Sequence, residues 1–135
     1  HPIEKMPEFF HQADALLVSL KNEPIFAMTI PGKLQAYLMS GKPILAMLNG
    51  EGANIVAESG CGITCSSGNW KCLAAAAQRL STMPESELDA MGKKGINLSM
   101  KEFNREELIS QLEIWMMELA NSDGKNSSGV AHYDK

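Results

Sequence analysis

The chain has 135 residues, of which 44% are hydrophobic and 21% charged, and this composition is typical of one soluble globular domain. The formal net charge is −4 and the Lys and Arg residues are scattered, which disfavours nucleic acid as a partner. No apolar run approaches the roughly 20 residues that a membrane-spanning helix needs.

The first half of the sequence alternates helices with apolar strands. A short helix is predicted at residues 6–13, and a continuously apolar strand at residues 15–20 has the pattern of a strand buried on both faces of a parallel sheet. After a loop, a helix with an apolar stripe is predicted from about Pro31 to Ser40, with Gly41 just past its end. The pattern then repeats, with a buried strand at residues 43–48, a short helix that ends at Gly60 and a third strand at residues 61–66.

The second half is predicted to be helical. An Ala-rich helix spans residues 71–80, and Thr82 with Glu85 forms the sequence pattern of a capping box that opens the next helix. Asn104 can cap a last helix, which carries apolar residues on one side. Residues 1–120 are therefore assigned to the folded domain, and residues 121–135 to a polar tail that is predicted to be disordered.

Strands that alternate with helices predict an α/β fold with a parallel sheet and flanking helices. A Rossmann-like sheet normally has five or six strands, and only three are predicted here. The sequence therefore indicates part of a larger protein.

The three cysteines, Cys61, Cys65 and Cys72, lack the paired spacing of a zinc site. Their odd number argues against a disulfide framework and favours a reducing compartment. All three are predicted to be structural residues without metal or redox chemistry.

Two loops are predicted to leave strand ends and enter helix N-termini, at residues 21–32 and 49–53. Ligands of open parallel sheets bind at the carboxyl ends of the strands, and helix N-termini favour anions. Glu23 and Glu51 could accept hydrogen bonds from sugar hydroxyls, while Gly32, Lys33 and Gly52 could face a diphosphate. The alternative is that both glycines only permit tight turns and that Lys33 is a solvated surface charge.

Other candidates for chemistry are weaker. His11 falls in the opening helix and is predicted to be a surface or packing residue, and His132 lies in the polar tail. No Ser/His/Asp arrangement or zinc-protease motif is present in the sequence. No catalytic acid or base is therefore predicted within this chain.

The order of several motifs resembles the C-terminal domain of bacterial glycosyltransferases of family 4. These motifs are ADALLVSL, NEPIF, TIPGKLQAYLMSGKPILA and NGEGANIVAESGCGI, and the resemblance extends from about Met6 to Leu119. The family has the GT-B architecture, in which two Rossmann-like domains face each other across a cleft and the C-terminal one binds the nucleotide-sugar donor. The resemblance implies that upstream strands and the acceptor-binding domain are absent here, and that this chain alone is inactive.

In that family a glutamate after the corresponding strand belongs to an E-x7-E motif that contacts the donor sugar and the ribose. Glu23 matches the first position, but the residue eight places on is Pro31, and alignment through the Ser-Gly-Lys-Pro turn brings Ala36 to the second position. Gln35 and Glu51 are the nearest substitutes. The candidate donor-binding residues are Glu23, Thr29, Gly32, Lys33, Gln35, Glu51 and Gly52.

The motif variant resembles a subgroup that acts in surface-polysaccharide synthesis. This resemblance implies transfer of a hexose or N-acetylhexosamine from a UDP-sugar to a lipid-linked oligosaccharide, as in O-antigen, with retention of configuration. It further implies no metal or other cofactor, and a cytoplasmic site at the inner face of the bacterial inner membrane. The alternatives are a non-enzymatic flavodoxin-like signalling domain and a GT-B enzyme of another family, such as a nucleotide-sugar epimerase.

Overall fold

The computed structural model describes residues 2–126 of the chain, so the tail prediction for residues 127–135, including His132, lies outside the described residues. After a 3-10 turn at Ile3–Lys5, the elements follow the alternating order that the sequence predicts. They are α1 (Met6–Gln12), β1 (Leu16–Ser19), α2 (Pro24–Ala27), α3 (Gly32–Met39), β2 (Ile44–Met47), α4 (Glu51–Ser59), β3 (Gly62–Cys65), α5 (Trp70–Thr82), α6 (Glu85–Glu102) and α7 (Arg105–Asn126).

The three strands form one parallel sheet in the order β1-β2-β3. Leu16 pairs with Ile44, and Ser19 with Met47, which in turn pairs with Cys65. This register brings the carboxyl ends of all three strands to one level. The loops that follow the strands consequently meet at one edge of the sheet. The α/β class and the parallel sheet are confirmed.

Helices cover both faces of the sheet. On one face α3 buries Leu34 and Leu38 completely, and α4 packs against β2 and β3. On the other face Leu45 and Cys65 form an apolar cluster with residues of α5. Apolar burial on both sides of β2 accounts for its unbroken apolar sequence.

The prediction that strand β1 is buried on both faces is wrong, because its residues alternate between buried and exposed. Leu16 and Val18 are buried, whereas Leu17 is 51% exposed. The physical reason is that β1 lies at the edge of the sheet, while α5 packs on β2 and β3.

The helix α6 packs closely against the C-terminal end of α3, on the side of the sheet where β2 begins. A Cβ placed on Gly92 would lie 1.9 Å from the carbonyl oxygen of Gly41, so only glycine allows the two backbones to approach so closely. Gly41 itself has φ of +70°, which is the left-handed conformation expected just past a helix end.

Three local predictions have different outcomes. The Asn104 cap is confirmed, because its Oδ1 accepts the Glu106 N–H at 3.1 Å. The loop predicted at residues 21–32 contains the short helix α2. The capping box is wrong, since Thr82 is the last residue of α5 and its hydroxyl donates to the Gln78 and Arg79 carbonyls.

The helix α7 belongs to a second compact unit, which begins at Phe103. It continues to Asn126, six residues into the segment assigned to the polar tail. Leu108, Leu112 and Trp115 on its surface are all more than half exposed. Among residues 2–126, no helix combines the length and the apolar character that crossing a membrane would require.

Candidate functional site

Polar side chains follow each of the three strands, and hydrogen bonds join them across the carboxyl edge of the sheet. Asn49, after β2, donates from Nδ2 to Oδ1 of Asn22, after β1, at 2.9 Å. Its own Oδ1 accepts the backbone N–H of Ser67, after β3, at 3.1 Å. The Ser67 hydroxyl in turn donates to the Leu20 carbonyl at 3.0 Å. The three loops are therefore held together as one surface.

Glycines bring the two predicted binding loops into direct contact. Gly50 has φ of +77°, and a Cβ at this position would lie 1.9 Å from the carbonyl oxygen of Ala27. A Cβ on Gly52 would lie 2.9 Å from Leu48 and 3.3 Å from Pro31. Since Pro31 is the N-cap of α3 and Gly52 is the second residue of α4, the two helix N-termini are neighbours.

The two N-termini differ in their electrostatics. In α3 no side chain caps the first turn, no acidic residue is present there, and Lys33 is the second residue. In α4 the first residue is Glu51, whose carboxylate already complements the positive end of the helix. An anion is therefore favoured at α3, whereas α4 presents an acceptor for hydroxyl groups.

The exposed candidate residues lie at the start of α2, in the loop that follows it, and in the first turns of α3 and α4. Glu23 is the N-cap of α2, yet its carboxylate caps no helix N–H and remains exposed. Thr29 donates its hydroxyl to the Phe26 carbonyl at 3.4 Å and is exposed. A Cβ on Gly32 would meet no atom within 4 Å, so the space beside this residue is open. Lys33, Gln35 and Glu51 are also exposed.

Gly52 has a different environment from the other candidates, because it is buried. Its lack of a side chain is explained by close packing against Leu48, Pro31 and Leu34. This packing places the start of α4 against α3.

A cleft of about 450 Å³ opens at the same edge of the sheet. Its volume lies in the range of small-molecule sites. Lys21 supplies a positive charge to the cleft. None of the seven donor-binding residues predicted from the sequence lines it. The lining residues are Ser19, Leu20, Lys21, Asn22, Met47 and Gly68.

Sequence reasoning missed Lys21, Asn22, Asn49 and Ser67 as site residues. The available signal was a polar residue directly after each buried strand. Such residues converge only if the strands are adjacent and parallel, and this requires the strand order.

The cysteines also differ from expectation. Cys65 and Cys72 form a disulfide bond between the end of β3 and the first turn of α5, so the prediction against a disulfide framework is wrong for this pair. Cys61 is free and fully buried, and burial raises the pKa of its thiol, partly offset by a hydrogen bond with Ser59.

The described part of the chain provides polar and charged groups that can bind and orient a ligand. His11 is exposed on α1, as predicted for a surface residue. Among the described residues, no group of three or more His, Cys, Asp or Glu side chains is arranged to hold a metal ion. The carboxyl edge of the sheet provides backbone N–H donors, the cations Lys21 and Lys33, and the carboxylates of Glu23 and Glu51.

Comparisons with protein-family models, curated proteins and solved structures find no match to this chain.

Proposed function

We propose that this chain is the donor-binding part of a retaining glycosyltransferase of the GT-B type. In this proposal it is the truncated C-terminal Rossmann-like domain, and further strands and an acceptor-binding domain belong to the full enzyme. The observation that carries the proposal is the pairing of two helix N-termini of unlike charge at the carboxyl edge of a parallel sheet. A nucleotide sugar combines the two chemistries that this pair favours, a diphosphate and sugar hydroxyls.

The diphosphate of the donor is assigned to the start of α3. The exposed first turn around Gly32 offers uncapped backbone N–H groups and open space, and Lys33 adds a positive charge. As the bond between sugar and diphosphate breaks, negative charge grows on the leaving group. Groups fixed in advance stabilise that charge without reorganisation, so the reaction proceeds without a bound metal ion.

The hydroxyl groups of the donor are assigned to Glu23 and Glu51. Both carboxylates are exposed, and Glu23 is not used as a helix cap. Gln35, one turn into α3, and Thr29 complete the polar rim. The preference for a hexose or N-acetylhexosamine carried by UDP rests on the resemblance to family 4 enzymes.

The acceptor is assigned to the other domain of the full enzyme. By the same resemblance it is a lipid-linked oligosaccharide of a surface polysaccharide such as O-antigen. The full enzyme would therefore work at the cytoplasmic face of the bacterial inner membrane. This chain supplies one wall of the cleft, so we expect it to bind the donor nucleotide weakly and to lack transferase activity alone.

Isothermal titration with UDP and with uridine tests this proposal. Because the α3 N-terminus is assigned to the diphosphate, UDP should bind at least about tenfold more tightly than uridine, a difference of roughly 1.4 kcal/mol. Equal affinities for UDP and uridine would contradict the assignment.

Replacing Lys33 by alanine tests the role of its charge. The Lys33→Ala variant should lose about two- to fivefold in UDP affinity, which corresponds to the roughly 0.4–1 kcal/mol of one exposed charge pair. Lys42→Ala is the matched control, since Lys42 precedes β2 at the opposite end of the sheet. We expect the control to bind UDP with the affinity of the parent. An unchanged UDP affinity in Lys33→Ala would show that Lys33 is a solvated surface charge.

A further inference from the structure

The disulfide lies where its state can affect the carboxyl edge of the sheet. It joins Cys65, the last residue of β3, to Cys72, the third residue of α5. The segment between β3 and α5, residues 66–69, contains Ser67, which makes two of the hydrogen bonds that hold the three strand ends together. Gly68 in the same segment lines the cleft.

The two cysteines of the pair have different environments. Cys65 is 3% exposed and lies in the apolar cluster with Leu45, Ala76 and Leu80. Cys72 is half-buried and lies in the first turn of α5, where Asn69 caps its N–H at 3.1 Å. That turn contains no acidic residue, and Lys71 is adjacent. A helix N-terminus stabilises a thiolate, whereas an apolar surrounding disfavours one.

We propose that Cys65 and Cys72 are a reversible thiol–disulfide pair that reacts with small-molecule disulfides and thiols of the glutathione type. During oxidation the Cys72 thiolate attacks the small-molecule disulfide. During reduction the small-molecule thiol attacks the Cys72 sulfur. Cys65 is the resolving thiol. The oxidised state orders residues 66–69 across the carboxyl edge of the sheet.

The exchange balances without a further reactant. In the reduced chain the Cys72 thiolate attacks one sulfur of glutathione disulfide, forms a mixed disulfide and releases one glutathione thiolate. Cys65 then loses its proton to solvent, attacks the Cys72 sulfur and releases the second glutathione thiolate. Two protein thiols are oxidised to one disulfide, and one glutathione disulfide is reduced to two glutathione molecules. Excess glutathione runs the same steps backward.

The Cα atoms of the pair are 5.8 Å apart, within the range of ordinary disulfides, so the bond closes without rearrangement of β3 or α5. Reduction removes the only covalent link between these two elements other than the four-residue segment itself. We therefore expect the reduced chain to keep its sheet and to lose order at residues 66–69.

Cysteine labelling in glutathione buffers tests the assignment. The full chain is equilibrated with graded ratios of reduced and oxidised glutathione, quenched in acid, alkylated and measured by mass spectrometry. We expect Cys65 and Cys72 to change state together, while Cys61 stays a free thiol without a glutathione adduct at every ratio, because it is fully buried in the native chain during the equilibration. Persistence of the bond in excess reduced glutathione, or its failure to form in excess oxidised glutathione, would overturn the proposal.

Single variants identify the reacting sulfur. Cys65→Ser should accumulate a glutathione adduct on Cys72, whereas Cys72→Ser should form at least about tenfold less adduct on the buried Cys65. Equal adducts in both variants would contradict the assigned roles.

Amide hydrogen exchange of the unmutated chain gives a readout that does not depend on how the variants fold. On reduction, protection at Ser67 and Asn69 should fall by at least about tenfold while protection in β2 is unchanged, and equal protection in both states would refute the effect on the loop.

Discussion

Asn49 joins the ends of all three strands through one donated and one accepted hydrogen bond. Its amide nitrogen binds Asn22 and its amide oxygen binds the Ser67 N–H, so a side chain that is only a donor or only an acceptor cannot replace it. Beyond the strand ends, the loop residues are not joined by the regular backbone hydrogen bonds of the sheet. Asn49 therefore sets the relative positions of the loops that form the candidate site.

Removal of this side chain should weaken the fold measurably. Asn49→Ala loses two hydrogen bonds worth about 1 kcal/mol each, so we expect the free energy of unfolding in urea to fall by about 1–2 kcal/mol. Asn49→Asp retains the acceptor for Ser67 and should lose about half as much. Asn54→Ala, on the exposed surface of α4, is the control and should cost nothing. A loss in Asn49→Ala no larger than in this control would show that the network contributes no stability.

At the scale of elements, α6 crosses α3 through glycine instead of interdigitated side chains. The approach of Gly92 to the Gly41 carbonyl leaves no room for a methyl group. This contact fixes the end of α3 that is distant from the candidate site.

Gly92→Ala should destabilise the chain by about 2 kcal/mol or more, because the penalty for overpacking exceeds the roughly 1 kcal/mol gain in helix propensity. Gly32→Ala is the matched control, since a Cβ there meets no atom within 4 Å, and its stability should match or exceed that of the parent. Thermal unfolding followed by circular dichroism measures both. A Gly92→Ala variant as stable as the parent would contradict the observed crossing.

The periodic elements could be predicted from sequence because their pattern is local. The apolar stripe of α3 and the unbroken apolar run of β2 each follow from one burial geometry. The exposure of Leu17 could not be predicted, since it depends on which strand lies at the edge of the sheet. Thr82 shows a conflict between two local rules, because its hydroxyl can cap the following helix or bond back into its own, and the second prevails.

The candidate site could be predicted only in its loops. Polar residues and glycines after buried strands indicate binding loops, and the structure brings the loops of Gly50 and Ala27 together. The disulfide was not predictable, because the distance between Cys65 and Cys72 depends on the turn between β3 and α5. Convergence of Asn22, Asn49 and Ser67 depends on strand order, which spacing along the chain does not encode.

At the scale of the whole molecule, two cation-bearing regions compete for an anionic ligand. One is the carboxyl edge of the sheet, where Lys21 and Lys33 lie. The other is a cavity of about 470 Å³ beside β3, which is lined by Arg79, Lys94 and Glu87 among others. Both regions combine two cations with carboxylates, Glu23 and Glu51 in the first and Glu87 in the second, and the first region adds the uncapped N-terminus of α3.

The central claim is that the carboxyl edge of the sheet binds the diphosphate of a nucleotide sugar. Titration of the isotope-labelled chain with UDP, followed by amide chemical shifts, tests it most directly because it locates the ligand without assuming an activity. We expect the largest shifts at Gly32 and Lys33, with smaller ones at Asn49 and Glu51. Shifts centred on Gly62, Arg79 and Lys94 would contradict the account.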